Sequence, residues 1–457
     1  MPYENEFANY EPLRRIADNQ RIHDLLGRYR VHQIPLRKKE QLIVTHINDL
    51  PISNYKPDWV LAIDGSFLPV AIKNGFPGSE AAYITIASVM MDMAKVRKLD
   101  EYRPVNPKEF RLTQESEAID DILPGRNFVY EGDESAKVSF RRSLYSLLDT
   151  QRMSPDGETL LDTYQALLKH KPPATIRTAQ GCPYEDCPVD GTYDPQNSIF
   201  KCSCKKAHDW FSSDALRIHE RMNPISGSND RIYSEVMQVL ERLWIIHILR
   251  TLEQKNWLSS LKRLAIVVDG PLAIFGQPAW ISQCISYELK RINQLLREKT
   301  GEDILLIGIE KGGEFAEHFA MLDESDEGET DIFPKQTAVL LTDAYIKRNI
   351  AFSDSDKPYG MGTYFGRKFL YKTKSGARIV ATIPYFEDNH SDWSKAEISS
   401  FPRLNDAIHM LDELVSSRYP NSLQPIIAAH SEASIPLNLG KKVLERLARE
   451  LTQKNRT

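Results

Sequence analysis

The sequence predicts an α/β protein in which a mixed sheet is flanked by helices. Apolar segments at residues 60–63 and 264–268 each end in Asp-Gly, which indicates two buried strands. Residues 230–257 have the apolar period of a long helix. Four of the five cysteines lie between Cys182 and Cys204, so we expect a cysteine-rich zinc-binding insertion within this fold.

Composition limits the class of protein. With 457 residues, 41% hydrophobic and 26% charged, the chain is typical of a globular protein with one large domain or two. A net charge of -5 excludes a generally basic nucleic-acid binder, so any contact with DNA or RNA requires a local basic channel. No apolar run approaches the roughly 18 residues of a membrane-spanning helix, and the N-terminus does not resemble a signal peptide. We therefore expect a cytoplasmic protein without a membrane partner.

Changes in sequence character divide the chain into four segments. The first has apolar and charged residues at helical spacing, and the third has paired cysteines and turn residues but no long apolar period. The predicted segments are an N-terminal helical segment (1–56), the first part of the core (57–170), the cysteine-rich insertion (171–229) and the second part of the core (230–457).

Two carboxylates follow the two predicted strands. Asp64 follows the first strand, which Gly65 and Ser66 are expected to end, and Asp269 follows the second. Asp-Gly is also a common hairpin turn, which could account for either residue alone. However, carboxylates at neighbouring strand ends repel each other, and a divalent cation with oxygen ligands would relieve that repulsion. Metal-assisted hydrolysis is therefore the leading hypothesis for an enzyme.

A third acidic residue lies on the predicted helix 230–257. Glu241 has Met237 four residues before it and Trp244 three residues after it, so its carboxylate is expected on the buried face. A buried Glu on the helix that leads into the Asp269 strand could be a third metal ligand. Glu235 is the alternative, and either side chain could instead reach solvent at the edge of the face.

Several basic residues have both a functional and a structural interpretation. Lys311 follows a predicted strand and could bind a phosphate, although lysines at strand ends are commonly surface residues. His430 follows an apolar segment that we expect to be a strand, and a lone histidine is usually a satisfied core residue. Arg141 and Arg142 could contact phosphate, but solvation at the surface is the expected role.

The cysteine spacing is compatible with tetrahedral zinc. Two pairs, C-x4-C and C-x-C, are separated by fourteen residues, and both differ from the C-x2-C of a common zinc ribbon. His208 or His219 could replace one sulfur, and unliganded thiols are the alternative. A closed four-ligand site has no open position, so a structural role is expected. The four predicted ligands are Cys182, Cys187, Cys202 and Cys204.

Together these segments resemble the NurA family of nucleases. Its members combine an Asp-Gly-Ser strand, a helical Glu, a later Asp-Gly strand, and a Tyr-Pro-x-x-Leu segment that runs into Ala-His. The matching residues here are Asp64-Gly65-Ser66, Glu241, Asp269-Gly270, Tyr419-Pro420, Leu423 and Ala429-His430. The resemblance covers residues 57–140 and 231–457 and does not include the cysteine segment.

The resemblance implies an RNase H-like core, DNA cleavage that depends on Mn²⁺ or Mg²⁺, and a homodimer. It also implies a partner, a HerA-type hexameric ATPase that feeds DNA to the nuclease. In this interpretation three carboxylates hold the metal, a histidine acts as a ligand or proton shuttle, and a lysine and a tyrosine position the DNA strand. These residues are Asp64, Glu241, Asp269, His430, Lys311 and Tyr419.

Two other functions agree with the same residues. The core could be a scaffold for a non-catalytic module that binds DNA or protein through the zinc insertion, or the enzyme could hydrolyse another phosphate ester. Processing of DNA ends in repair and defence against foreign DNA are both compatible with a nuclease. Because the net charge of -5 gives little attraction for DNA, we expect DNA to be delivered by the partner, with segment 1–56 as the docking surface.

Overall fold

The computed structural model of the protein describes residues 11–29, 43–72, 78–98, 111–171, 180–184, 187, 189–191, 197–204, 206–325, 328–387, 392–416, 419, 421–434 and 442–447. The chain forms two compact units, residues 1–41 and 42–457. The described part of the first unit, residues 11–29, contains two short helices, α1 (Glu11–Ala17) and α2 (Gln20–Leu26), neither of which has a buried residue.

Thirteen described strands belong to the second unit. They are β1 (Ile43–His46), β2 (Trp59–Ala71), β3 (Glu80–Asp92), β4 (Gln114–Pro124), β5 (Gln180–Gly181), β6 (Asp190–Gly191), β7 (Ile199–Lys201), β8 (Asp209–Phe211), β9 (Leu264–Asp269), β10 (Leu305–Glu310), β11 (Thr337–Leu340), β12 (Gly366–Lys372) and β13 (Arg378–Pro384). Nine of them form one sheet in the order β1-β11-β12-β13-β10-β9-β2-β3-β4.

The sheet is mixed, as predicted. β2, β9 and β10 are parallel neighbours at its centre, while β2, β3 and β4 form an antiparallel meander. This meander joined to two parallel strands is the RNase H-like core that the resemblance implies. The remaining strands continue the sheet from β10 in antiparallel pairs.

Helices cover both faces of the sheet. Those of the second unit include α3 (Met93–Val96), α4 (Ala136–Thr150), α5 (Leu160–Leu168), α6 (Asp230–Gln254), α7 (Ile281–Thr300), α8 (Glu314–Leu322), α9 (Asp343–Asn349), α10 (Leu404–Leu414) and α11 (Gln424–Ala433). α6 confirms the long helix predicted at 230–257. None of the described helices combines the length and the apolar character that a membrane crossing requires.

The two faces of the central strands pack in separate cores. Leu61, Ile63 and Val268 pack with residues of α4, α5, α6 and α7. Val60 and Val267 alternate with them and pack with α10 on the opposite face. Because both faces are covered, the central strands are continuous apolar runs rather than alternating ones.

β2 is longer than the sequence predicts. Its parallel pairing with β9 stops at Ile63, but its antiparallel pairing with β3 continues to Ala71. The prediction that Gly65 and Ser66 end the strand is therefore wrong. Gly65 instead permits a close approach, since a Cβ at this position would lie 2.6 Å from Oε1 of Glu241.

Two other predicted elements have a different secondary structure. The predicted helical segment 1–56 includes β1, whose Ile43-Val44-Thr45 sequence has the β-branched residues that favour a strand, and β1 pairs with β11. The apolar segment before His430 was predicted to be a strand but belongs to α11. Pro425 in the first turn suits a helix, and Ile426 and Ala429 are buried at helical spacing.

Candidate active site

Asp64, which directly follows the last residue of β2 paired with β9, lies close to Asp269 at the end of β9 and to His430 of α11. Each of the three side chains offers a ligand atom, and these atoms lie within 4.8 Å of one another. They line a cleft of about 400 Å³ that also contains Glu241 and Lys311. Four of the predicted catalytic residues and the predicted DNA-binding lysine therefore share one cleft.

The alternation of side chains along β2 explains how residues from both faces of the sheet reach the cleft. Asp64 follows Ala62 on the face where α11 packs, as the contact of Ala62 with Ala429 shows. Glu241 comes from α6 on the opposite face and reaches the strands at Gly65, which has no side chain to exclude it. The Glu241 carboxylate therefore reaches the same cleft as Asp64 and Asp269, near the point where the parallel pairing of β2 and β9 ends.

Asp64 is nearly buried, with 3% of its surface exposed. Its Oδ1 accepts a hydrogen bond from the Gly65 N–H at 2.8 Å, and its Oδ2 lies 2.8 Å from Nδ1 of His430. Burial raises the pKa of Asp64 to about 6, the negative charge of Asp269 adds to this rise, and Lys311 and His430 oppose it. The carboxyl group therefore lacks full compensation for its charge.

Glu241 lies deeper in the same cleft. Burial raises its pKa to about 7; Arg242 opposes this rise, whereas Asp64 and Asp269 add to it. The backbone of Gly65 also opposes this rise, and Nη1 of Arg242 donates a hydrogen bond to the carboxylate at 2.9 Å. Three crowded carboxylates thus share an environment that disfavours their negative charge.

Arg242 connects the helix to the second strand end. Its Nη2 donates to the backbone carbonyl oxygens of Asp269 and Pro271, each at 2.9 Å, and the side chain is 3% exposed. Arg242 was not predicted from the sequence as a site residue. The signal in the sequence that could have indicated it is an arginine directly after Glu241, between the leucines of the predicted helix.

Lys311 forms an ion pair with Asp269. Its Nζ lies 3.0 Å from Oδ2 of Asp269, and both side chains are partly accessible, at 31% and 23%. A lysine in this position can exchange the carboxylate for a phosphate without leaving the cleft.

Glu310 is a cleft residue that the sequence analysis missed. It ends β10 and lines the same cleft, beside Lys311. Its carboxylate accepts a hydrogen bond at 2.9 Å from Lys368, and burial raises its pKa. The signal was the one used for Asp64 and Asp269, an acidic residue at the end of an apolar strand.

Two residues considered for the site are placed elsewhere. Glu235 forms an ion pair with Arg221 at 2.8 Å and does not line the cleft. Tyr419 is 45% exposed, its backbone N–H donates to Ser416, and it is not among the residues that line the cleft. Pro420, which follows it, lies outside the described residues.

The donor set of the cleft fits a hard divalent cation. Carboxylate oxygens and one imidazole nitrogen are ligands that Mg²⁺ and Mn²⁺ accept. Burial, with a further contribution from the neighbouring carboxylates, raises the pKa values of Asp64 and Glu241, and a cation held by Asp64, Asp269 and Glu241 would favour their charged forms.

The four predicted cysteine ligands converge in the segment that contains β5 to β8. Cys182, Cys187 and Cys202 form one group with ligand atoms within 4.8 Å, and Cys187, Cys204 and His208 form another. Cys187 Sγ lies 3.7 Å from Cys202 Sγ, and Zn–S bonds of about 2.3 Å in a tetrahedron place two sulfurs about 3.8 Å apart. The cluster therefore has the geometry to hold zinc.

The histidine beside the cysteines is His208. Its Nδ1 lies 3.7 Å from Cys204 Sγ, whereas His219 lies 3.9 Å from Asp214 and belongs to neither group. Backbone hydrogen bonds, first that involving His208, lower the pKa of Cys204 to about 7. This favours the thiolate that binds metal.

Arg141 attaches this segment to the core, so its predicted solvated role is wrong. It is 1% exposed and forms a bidentate ion pair with Asp214 through Nε and Nη2, at 2.8 and 2.7 Å. Its guanidinium also lies over the ring of Tyr184, 5.0 Å from the centroid. The residue is buried because the cysteine segment folds over it.

The sheet and cleft define an α/β protein with an RNase H-like core and an acidic cleft at the carboxyl ends of its parallel strands. The family model of the NurA domain matches residues 59–435. The chain therefore belongs to the NurA family of nucleases, as its sequence predicts.

Two solved structures are similar to this one. The crystal structure of the NurA nuclease from Sulfolobus solfataricus has 8% sequence identity, with 89% of each chain covered and a TM-score of 0.36. A crystal structure of NurA has 10% identity, with 96% of this chain and 97% of that chain covered and a TM-score of 0.29. No curated protein is significantly similar to the chain in sequence.

Proposed function

We propose that this protein is a DNA nuclease that depends on Mn²⁺ or Mg²⁺. The observation that supports the proposal is the cluster of Asp64, Asp269 and His430, whose ligand atoms lie within 4.8 Å of one another, in a chain of the NurA family. Glu241 supplies a further carboxylate to the same cleft.

In the proposed reaction the carboxylates of Asp64, Asp269 and Glu241 hold the metal. When bound, a divalent cation supplies charge stabilisation to the scissile phosphate and lowers the pKa of a coordinated water. Arg242 keeps Glu241 in place and fixes the Asp269 backbone. Lys311 then binds a phosphate oxygen of the DNA strand.

His430 is suited to proton transfer. Its Nδ1 contacts the Asp64 carboxylate, and its side chain is 59% exposed. The Asp64 contact leaves Nε2 as the nitrogen that exchanges a proton with water or the leaving oxygen. Tyr419 does not line the cleft of the free protein. Its proposed role, positioning of the DNA strand, would therefore apply only when DNA is bound.

We further propose that the four cysteines, with His208 as a possible replacement for one sulfur, hold a structural zinc ion. The sulfur separation of 3.7 Å and the convergence of two cysteine groups support it. A zinc ion would stabilise a segment whose described strands are two or three residues long.

The proposed partner is a HerA-type hexameric ATPase that delivers DNA to a homodimer of this protein in the cytoplasm. The net charge of -5 supports delivery, because an acidic protein has little long-range attraction for DNA. Co-expression with such an ATPase should give a co-migrating complex whose ATP-dependent cleavage exceeds that of the nuclease alone. Tight DNA binding by the isolated protein at physiological salt, with cleavage unaffected by the ATPase, would contradict delivery.

The direct test of the nuclease proposal uses end-labelled single- and double-stranded DNA with Mn²⁺. Wild-type protein should cleave DNA, and EDTA should abolish the cleavage. Asp64→Asn keeps the shape of the side chain but removes an anionic ligand, so it should be inactive. Glu235→Gln is the control, because Glu235 is also a buried acidic residue but does not line the cleft.

A further inference from the structure

A second cavity adjoins the carboxylate cleft. It has a volume of about 370 Å³ and is lined mainly by the loop between α9 and β12, residues 353–364. Phe275 lines both this cavity and the carboxylate cleft. The two cavities are therefore neighbours with one aromatic ring at their boundary.

The position of Phe275 is fixed by its surroundings. Its backbone N–H donates to Oε1 of Gln238 at 3.3 Å, and Ala273 forms a β-bridge with Tyr364. The Phe275 ring meets the Tyr364 ring edge to face, with centroids 5.6 Å apart and an angle of 81° between the planes. Since the residue is 40% exposed, ring surface remains accessible at the boundary of the two cavities.

Two basic side chains line the second cavity. Lys347 and Lys357 both line it, and none of the described lining residues is acidic. Lys347 is already held by Asp343 at 2.9 Å, whereas Lys357 is exposed. Asp354 and Asp356 belong to the same loop but do not line the cavity.

We propose that the second cavity binds the nucleotide next to the cleaved phosphate in a single DNA strand. In this proposal the Phe275 ring stacks on a base, and Lys357 binds the phosphate of that nucleotide. The inference rests on the proposed nuclease function and adds a base-binding subsite next to the carboxylate cleft.

Single-stranded DNA fits these features better than a duplex. In a duplex each base is paired and stacked on its neighbours, so a side chain reaches a base face only after the base is extruded. Proteins that bind single strands combine aromatic stacking with basic side chains along the backbone, as Phe275 and Lys357 do here. The volume of about 370 Å³ lies at the low end of the roughly 300–1,000 Å³ typical of small-ligand sites and has room for a nucleotide.

The experiment measures KM and kcat for a short single-stranded oligonucleotide with Mn²⁺, and for copies with one abasic residue placed at each position in turn. For wild-type protein, one abasic position should raise KM by about 5- to 150-fold, the effect of losing one base–aromatic stack. Phe275→Ala should raise KM for the intact strand by a similar factor. That same abasic position should then cause no further increase, because the variant has no ring to stack.

The controls separate stacking from general changes at the surface. Phe275→Tyr should retain the wild-type KM, because tyrosine also provides a ring. Phe352→Ala removes a phenylalanine that is 57% exposed but lines neither cavity, so KM should not change. Lys357→Ala should raise KM and weaken its dependence on salt, as expected when a phosphate contact is lost.

The outcomes distinguish this inference from the nuclease proposal. If wild-type protein cleaves the oligonucleotide but Phe275→Ala has an unchanged KM and an unchanged response to the abasic positions, the stacking site is refuted and the nuclease stands. If wild-type protein does not cleave with Mn²⁺, the nuclease proposal fails. Binding of the same oligonucleotides, measured by fluorescence anisotropy, then tests the cavity alone with the same variants and the same criterion.

Discussion

Replacing Glu241 by glutamine should stabilise the metal-free protein while removing its activity. Glutamine has nearly the same shape, and its side-chain oxygen can still accept the hydrogen bond from Arg242. The substitution removes a negative charge from a group that is 4% exposed and close to Asp64 and Asp269. The expected gain in stability is therefore electrostatic.

The magnitude follows from the pKa of Glu241. In the unfolded chain this carboxyl group titrates near 4.5, and in the folded protein burial raises the pKa to about 7. Between these values the folded protein holds the extra proton, so the contribution of Glu241 to stability falls as pH rises from 4.5 to about 7. Above this interval the ionised carboxylate of Glu241 lowers the free energy of unfolding by about 3 kcal/mol.

Urea denaturation in EDTA at two pH values measures this effect. At pH 8 the Glu241→Gln variant should be more stable than wild-type protein by about 3 kcal/mol, and near pH 4.5 the two should be equal. Saturating Mn²⁺ should remove most of the difference in the free energy of unfolding between the two proteins at pH 8, because a ligand at 100 times its Kd stabilises the wild-type protein by about 2.7 kcal/mol.

Glu235→Gln is the matched control for the same measurement. Glu235 is a buried glutamate of the same helix, but its carboxylate is paired with Arg221, so its replacement should not stabilise the protein. If Glu241→Gln is no more stable than wild-type protein in EDTA at pH 8, Arg242 compensates the charge fully and the reasoning is refuted. Cleavage by the variant at the wild-type rate would remove Glu241 from the site.

The remaining predictions concern the metal ligands, the zinc cluster and acid stability. Asp269→Asn should abolish Mn²⁺-dependent DNA cleavage and lower Mn²⁺ affinity in isothermal titration calorimetry; unchanged affinity would exclude Asp269 as a ligand. Metal analysis should find one tightly bound zinc per chain, and Cys202→Ser should lose it and increase proteolysis within residues 180–211; a stable, zinc-free wild-type protein would contradict the site. Burial lowers the pKa of His247 to about 4, so the unfolded state binds a proton before the folded state does as pH falls below 6.5. By pH 4 this difference should lower the free energy of unfolding by about 3 kcal/mol. His247→Gln should reduce that loss in urea denaturation, and an identical pH dependence in both proteins would refute the assignment.

Local patterns in the sequence were sufficient for the central part of the fold. The apolar runs before Asp64 and Asp269 predict β2 and β9, and the helical period around Glu241 predicts α6. Each of these elements has many buried residues, so the pattern of apolar residues along its sequence is strong. The cysteine spacing likewise predicts a cluster that the structure brings together.

Features that depend on distant partners could not be predicted in this way. β2 extends past Gly65 because β3 continues to pair with it, and the glycine is required by α6, a helix far along the chain. His430 contacts Asp64 across 366 positions of sequence, and α11 is a helix because its buried residues meet β2 and β3. Arg141 is buried by a segment about 70 residues later, since its partner Asp214 is 73 positions away.

The same strand-end pattern occurs three times, and the partner of each carboxylate distinguishes its role. Asp64 meets an exposed histidine, and Asp269 meets a lysine that is 31% exposed, so both partners can move to substrate or solvent. Glu310 meets Lys368, which is 3% exposed and would remain as an unpaired buried charge if Glu310 turned to a metal. An acidic residue after an apolar strand therefore predicts a position at the cleft. Whether its carboxylate is available to a cation depends on how freely its basic partner can leave.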